Sequence, residues 1–201
     1  MKTLLYVKAN PKSNELSRTF QISEKFIETY KKNNPEDKII TLDLYKENIK
    51  FLNMESIRQI FGLKDENSKN NPLLSYAYTF AQADKYVIAA PLWNLGVPSI
   101  LKAYFDYITV KDISFKYTAE GPLGLLKNKS AVYISAQGGK YDIEPMSNFE
   151  FGQRYVKTIL TFLGIEKYSA ICADGLDITG ADVKEIVDSA IEKAQKLAVI
   201  F

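Results

Sequence analysis

Tyr86-Val87-Ile88-Ala89-Ala90-Pro91-Leu92-Trp93-Asn94-Leu95-Gly96-Val97-Pro98 decides how this chain folds. It opens on an uninterrupted apolar run, Tyr86 to Ala90, as expected of a parallel strand covered on both faces. The remainder is rich in Pro and Gly, and a helical pattern resumes at Ser99. A strand gives way to a loop and then to a helix. In open α/β sheets, ligands bind at that carboxyl end of a strand. Trp93 and Asn94 put a large aromatic and an amide there, suited to a flat ring with polar edges.

On the N-terminal side, Leu4 to Val7 is a second continuous apolar run and reads as the first strand. A helix follows from about Ser17-Arg18-Thr19, with Phe20, Ile22, Phe26, Ile27 and Tyr30 on one broad face. Ser17 suits its N-cap, and Asn33-Asn34-Pro35 stops it. Lys38 to Leu42 is the next strand and ends at Asp43. The stretch from Tyr45 to Asn71 is polar and weakly periodic, an excursion over the surface with a short helix around Met54 to Phe61. Leu73 to Ala83 is helical.

On the C-terminal side, Ile100, Leu101, Tyr104, Phe105 and Ile108 mark an amphipathic helix with Pro98 in its first turn. Ile113 to Tyr117 alternates like an exposed strand or hairpin arm, and Gly121-Pro122-Leu123-Gly124 reads as a turn. Ala131 to Ser135 is a strand ending at Gly138-Gly139. A helix from Phe149 to Leu163 stops at Gly164. Tyr168 to Ala173 is the last strand. Val183, Ile186, Val187, Ala190, Ile191, Ala194 and Leu197 give the final helix its 3.6-residue period. Five strands alternating with helices predict an α/β fold: one flavodoxin-like three-layer domain over residues 1–201, with a five-stranded parallel sheet in the order 2-1-3-4-5.

Composition narrows the chemistry. The 201 residues are 46% apolar and 25% charged, with a net charge of +2, so no basic stripe points to nucleic acid. No apolar run approaches the roughly 20 residues of a membrane span, and the N-terminal run is too short for a secretory h-region. The single Cys172 leaves no internal disulfide and fits a reducing cytoplasm. Its strand-like surroundings predict a buried, inert thiol. The chain has no histidine, which removes the commonest general acid/base and the commonest metal ligand. No metal is expected, and chemistry falls to carboxylates, Lys, Tyr or a cofactor.

In the predicted fold three loops meet at one sheet edge. Lys8 to Thr19 supplies hydroxyls, a guanidinium and helix N-terminal amides, equipment for a phosphate. Leu92 to Leu95 supplies the aromatic face. Ser135 to Tyr141 carries two glycines that let backbone approach a ligand. Each loop alone is also what a plain capped helix or strand-end turn would contain. The functional reading rests on all three together. The first strand is followed by no G-x-G-x-x-G and no P-loop pattern, against a dinucleotide-binding dehydrogenase or a nucleotide triphosphatase.

These segments together resemble the FMN-dependent NADH-azoreductase family, a branch of the flavodoxin-like quinone reductases. The likeness spans nearly the whole chain and is carried by Val7-Lys8-Ala9-Asn10, Pro91-Leu92-Trp93-Asn94, Val97-Pro98, Leu101-Lys102-Ala103-Tyr104, Phe115-Lys116-Tyr117-Thr118-Ala119-Glu120-Gly121-Pro122, Gly124-Leu125 and Gly138-Gly139. It implies phosphate contacts from Asn10, Ser17, Arg18 and Thr19. It implies that Pro91, Leu92, Trp93, Asn94 and Leu95 run along the isoalloxazine, with Ser135, Ala136, Gln137, Gly138 and Gly139 at its pyrimidine edge. Family members often carry serine in place of Asn10, a second serine in place of Arg18 or Thr19, and arginine in place of Gln137.

The resemblance further implies a ping-pong cycle. NADH or NADPH passes hydride to the flavin and leaves; a quinone, azo or nitroaromatic acceptor then takes two electrons. FMN is the implied flavin, with FAD left open. The flavin carries the redox chemistry, so a chain without histidine suffices. Gly138 and Gly139 amides would stabilise the reduced flavin. Tyr141 is a candidate proton donor, and Phe115, Tyr117 and Phe162 are candidate walls for an aromatic substrate. The family is dimeric, and the apolar segment Tyr104 to Tyr117 would suit a partner surface. Three other readings stand beside this one: a flavodoxin-type electron carrier, which a charge of +2 disfavours because such carriers are usually acidic; a flavin-free α/β interaction protein; and a nitroreductase on the same fold.

Overall fold

The computed structural model describes residues 1–62, 64 and 66–201; Leu63 and Asp65, within the Tyr45 to Asn71 excursion, lie outside the described residues. Among the described residues the strands are β1 (Thr3–Lys8), β2 (Lys38–Asp43), β3 (Lys85–Ala89), β4 (Phe115–Thr118), β5 (Gly121–Gly124), β6 (Ser130–Ala136) and β7 (Lys167–Ala173). The α-helices are α1 (Arg18–Asn33), α2 (Met54–Phe61), α3 (Ser75–Gln82), α4 (Ser99–Ile108), α5 (Gly152–Phe162) and α6 (Val183–Ile200). No described helix is long and apolar enough to cross a membrane.

The main sheet is parallel, in the order β2-β1-β3-β6-β7, and β4 and β5 form a separate antiparallel hairpin. The predicted order 2-1-3-4-5 counted only the sheet strands. Two further strands intervene in the chain, so the last two places belong to β6 and β7. Gly121 to Gly124, predicted as a turn, is the second hairpin arm, with Phe115 facing Gly124 and Thr118 facing Gly121.

Side-chain alternation along each central strand feeds two cores. Leu5, Val7, Tyr86 and Ile88 point to the side covered by Phe80 of α3, Leu101 and Phe105 of α4, and Leu160 of α5. Leu4, Tyr6, Val87 and Ala89 point to the side covered by Phe20 and Phe26 of α1 and Ala190 and Ala194 of α6. Because both faces are covered, β1 and β3 read as continuous apolar runs. Each fully buried Leu, Val or Ile contributes about 1.5–3 kcal/mol.

The excursion after β2 has a small core of its own. Ile60 of α2 packs with Leu74, Ala77, Tyr107 and Val110. Tyr107 Oη donates to the Lys50 carbonyl at 3.0 Å, and Tyr76 Oη to Glu47 at 2.9 Å. Most apolar side chains of the segment Tyr104 to Tyr117, expected as a partner surface, are spent inside the chain, Tyr107 and Val110 in this small core and Tyr104, Phe105, Ile108 and Phe115 in the larger one, while Tyr117 stays exposed.

Two helix starts differ from expectation. Pro98 caps α4 from outside, with ψ 141°, and does not occupy its first turn. The helix predicted from Phe149 starts at Gly152, preceded by a separate 3₁₀ turn, Met146–Phe149. The buried Glu150 explains the break: its carboxylate accepts from the backbone N–H of Gln153 at 2.8 Å and of Arg154 at 3.4 Å. Those N–H groups are orphan donors of a first helical turn.

Candidate functional site

Register brings the loops together. Lys8 lies level with Ala89, and Ala89 with Ile134, so the chain leaves β1, β3 and β6 side by side. The connections from β1 diverge here, β2 lying on one side and β3 on the other. This is the topological switch point, where open α/β sheets bind ligands.

At one end stands the N-terminus of α1. Ser17 is its N-cap, and its Oγ accepts from Phe20 N–H at 3.2 Å. Asn10 Nδ2 donates to the same oxygen at 2.9 Å, and Asn10 Oδ1 accepts from Lys12 N–H at 3.1 Å. Asn10 therefore shapes the loop by bridging the helix cap and the backbone. With no acidic residue in its first turn, α1 presents free amides and a positive dipole end, worth about 0.3–1 kcal/mol toward an anion. Arg18 reaches across to the loop after β7, donating to the Leu176 carbonyl at 3.4 Å and to Asp177 Oδ1 at 3.0 Å.

At the other end a tight turn carries the aromatic. Trp93 and Gly96 exchange both backbone hydrogen bonds, at 2.9 and 3.0 Å. Asn94 and Leu95 between them lie at φ 48° and 69°. Two left-handed residues in a two-residue turn are the type I′ arrangement. Leu is a costly occupant of that region, by about 1–2 kcal/mol. Surroundings hold it there: Phe151 N–H donates to the Leu95 carbonyl at 2.9 Å, and Leu92 N–H to the Ala136 carbonyl at 3.3 Å.

The glycine loop is laced to the loop after β7. Leu176, Asp177 and Gly175 donate backbone N–H bonds to the carbonyls of Gln137, Gly138 and Gly139 at 3.1, 3.0 and 2.9 Å. The carbonyls are thereby taken, while the N–H groups of Gly138 and Gly139 find no acceptor among the described residues. A Cβ at residue 138 would stand 2.3 Å from Asp177 Oδ2, and one at 139 would stand 2.9 Å from the Tyr141 ring. Thr19 Oγ1 accepts from Ala136 N–H at 3.2 Å, tying α1 to this loop.

The three loops, together with the loop after β7, line a cavity of about 330 Å³. Of the residues singled out in the sequence, Asn10, Ser17, Arg18, Thr19, Pro91, Leu92, Trp93, Ala136, Gln137 and Gly138 line it. Asn94, Leu95 and Gly139 stand beside it in the same loops, and Ser135 is buried below. Phe115, Tyr117 and Phe162 come together elsewhere, with ring centroids 5.4 Å apart for Phe115–Tyr117 and 5.0 Å for Phe115–Phe162. They do not line this cavity. Tyr141 lies against Gly139.

Lys12, Leu16, Leu176 and Asp177 also line the cavity and were missed. Lys12 and Leu16 sit inside the loop already suspected of phosphate binding. Leu176 and Asp177 follow the last strand, in a turn-rich Asp174-Gly175-Leu176-Asp177 that could have been counted as a fourth loop.

Near the cavity, burial pushes the Asp174 carboxyl up to about 6, helped by the charges of Asp142 and Glu150 and opposed by Lys140 and Lys193. Burial also pushes the Cys172 thiol up to about 12, with the Asp174 and Glu150 charges acting in the same direction. The thiol donates to Gln153 Oε1 at 3.4 Å. It is half-buried, not fully buried as its strand position predicted, and its raised pKa keeps it protonated. Gln137 Oε1 is buried and has no donor among the described residues. A helix N-terminus with a guanidinium, an aromatic face and free glycine amides fit a ligand with a phosphate at one end and a flat, polar-edged ring at the other.

Comparison with known proteins agrees. The family described as having a flavodoxin-like fold matches residues 2–198. An FMN-dependent NADH:quinone oxidoreductase 2 from Clostridium perfringens (strain 13 / Type A) is 59% identical over 201 residues, the whole of both chains. An FMN-dependent NADH:quinone oxidoreductase from Caldicellulosiruptor saccharolyticus is 57% identical, also over the whole of both. The crystal structure of an azoreductase from Bacillus anthracis str. Sterne shares the fold with a TM-score of 0.91 at 33% identity, covering 100% of each chain. An FMN-dependent NADH-azoreductase from Bacillus anthracis str. Ames Ancestor, solved in complex with FMN, has a TM-score of 0.88 at 28% identity and 98% coverage of each chain.

Proposed function

The chain belongs to the flavodoxin-like fold family matched over residues 2–198, and on that premise we propose that it is an FMN-dependent NADH:quinone oxidoreductase that also reduces aromatic azo compounds. The observation that carries the reading is the convergence of the loops after β1, β3 and β6 on one cavity with a phosphate-type end and an aromatic end. When bound, FMN would supply the two-electron redox chemistry between NADH and a quinone or azo compound.

The chain's own residues bind, orient and shield. The α1 amides, the Ser17-capped loop and Arg18 hold the phosphate, with Lys12 adding positive charge. Leu92 and Trp93 line the ring's face, and the rigid Asn94-Leu95 turn keeps them in place. The free N–H groups of Gly138 and Gly139 would donate at the pyrimidine edge of the flavin, fixed in place by the bonds their carbonyls accept. Tyr141, packed on Gly139, is the proposed source of a proton for the product.

The proposed assembly is a homodimer in the cytoplasm. An apolar groove among Val97, Phe151 and Tyr155, with Phe151 exposed, supports a partner surface there. Phe115, Tyr117 and Phe162 lie away from their own chain's cavity, and Phe115 is buried, so only the exposed Tyr117 and Phe162 can wall a substrate, and only in a partner's cavity.

The test is anaerobic stopped-flow absorbance of the FMN-loaded protein. NADH should bleach the flavin's visible band, and a quinone or azo dye added next should restore it. Bound flavin that NADH fails to bleach would make the protein a carrier fed by a protein donor and overturn the enzymatic reading.

A further inference from the structure

Along β1, side chains alternate between the two faces of the sheet. Leu4 and Tyr6 are buried in the core beneath α1 and α6, and the next residue on that face is Lys8. A lysine stands there in place of an apolar residue, with 8% of its surface exposed. Its ammonium is 2.7 Å from Glu24 Oε1 on α1 and 4.3 Å from the centre of the Phe20 ring. Tyr6 Oη also donates to Glu24 Oε1, at 3.2 Å. Burying an ammonium is unfavourable unless it is paired, and Glu24 supplies the pairing. An apolar side chain would have joined β1 to α1 without either charge. The charge therefore calls for a use beyond packing.

That use lies at a second donor of the same ammonium. Lys8 Nζ donates to Asn14 Oδ1 at 2.5 Å. Asn14 is in the middle of the exposed loop between β1 and α1. It stands two residues after Lys12 and two before Leu16, both of which line the cavity. Other bonds of the loop are local: Lys12 N–H to Asn10 Oδ1 at 3.1 Å, Ser17 N–H to the Ser13 carbonyl at 3.0 Å, and Gln21 Nε2 to the Glu15 carbonyl at 2.6 Å. Lys8 reaches the loop from the central sheet. Glu24 neutralises its charge, so what Lys8 transmits to the cavity is the shape of the loop.

We propose that Lys8 is a positioning residue for the cofactor's phosphate: held by Glu24, it pins Asn14 to the sheet and keeps the arc from Lys12 to Ser17 in the shape that receives that phosphate. The inference rests on the FMN reading of the cavity. A loop ordered before binding loses less freedom when the ligand arrives. Freed from Lys8, the arc must be ordered by the ligand itself, and only a ligand that carries the phosphate feels the loss. Riboflavin has the same ring and ribityl chain without the phosphate, so it separates the two ends of the site.

The experiment measures FMN and riboflavin affinities of the full chain by flavin fluorescence titration, for wild type, Asn14→Ala, and Lys8→Met combined with Glu24→Gln. Asn14→Ala removes the acceptor from an exposed loop residue and leaves the Lys8–Glu24 pair intact. The double variant removes both charges together and leaves neither one buried alone. In both, FMN affinity should fall by about tenfold, the size of one hydrogen bond to a charged group. Riboflavin affinity should stay within about twofold of wild type. An unchanged preference for FMN over riboflavin in Asn14→Ala would overturn the proposal, whether or not the double variant folds. Equal losses for both flavins in the double variant would make Lys8 a packing residue and overturn it as well. Wild type that binds neither flavin, or binds both alike, would instead defeat the FMN reading on which the inference rests.

Discussion

Burial and the neighbouring charges of Asp142 and Glu150 raise the Asp174 carboxyl from the usual 3.8 to about 6. Through that window the folded chain holds a proton that the unfolded chain has released. Stability therefore falls as pH rises from about 4 to about 6, and the cost persists above it. Discounted for the group's partial solvent contact, it amounts to about 1 kcal/mol. Asp174→Asn should then raise Tm at pH 7.5 by about 2–4 °C and leave it unchanged at pH 4. Equal gains at both pH values in a thermal melt would refute this account. Other residue roles were legible from sequence to the extent that they are local. Ser17 caps α1 through Phe20, three positions away, and could be read directly. Thr19 bonds the amide of Ala136, 117 positions away, and Arg18 bonds Asp177, 159 positions away. No local pattern announces such partners.

Elements followed local rules well where the rules were not contested. The excursion helix falls on Met54–Phe61 as expected, with Asn53 and Ser56 forming a capping box. The hairpin did not follow. Gly121-Pro122-Leu123-Gly124 has turn composition, yet it pairs as β5 because Gly124 presses onto the end of α5. A Cβ at 124 would stand 2.3 Å from Gly164 N and from the Leu163 carbonyl carbon, backbone atoms that cannot swing aside. Gly164, at φ 98°, is fixed in turn by the helix end. Gly124→Ala should cost about 1–3 kcal/mol and lower Tm by about 3–10 °C. Gly96→Ala is the control, since nothing lies within 4 Å of its added Cβ; its Tm should stay within about 2 °C of wild type. Similar melts for the two variants would mean that the contact between hairpin and helix does not constrain the fold.

At the scale of the whole molecule, cofactor binding and folding are linked through the sheet edge. The cavity draws residues from four separate strand ends, so its ligand binds the folded chain and not the unfolded one. FMN at a hundred times its Kd should therefore add about 2.7 kcal/mol and raise Tm by about 5–11 °C. A melt indifferent to FMN would sink the cofactor assignment. The alternation of apolar strands and amphipathic helices was enough to establish the three-layer class, because burial on both faces of a parallel sheet leaves a mark on every strand. It was also enough to mark the Trp93 turn, the Ser17 cap and the glycine pair, since each is a short-range conformational signature. The fourth loop with Leu176 and Asp177 and the seclusion of Phe115, Tyr117 and Phe162 from the cavity depend on which distant segments meet. That is settled by strand register and helix packing, long-range contacts whose partners no periodicity within a single segment encodes.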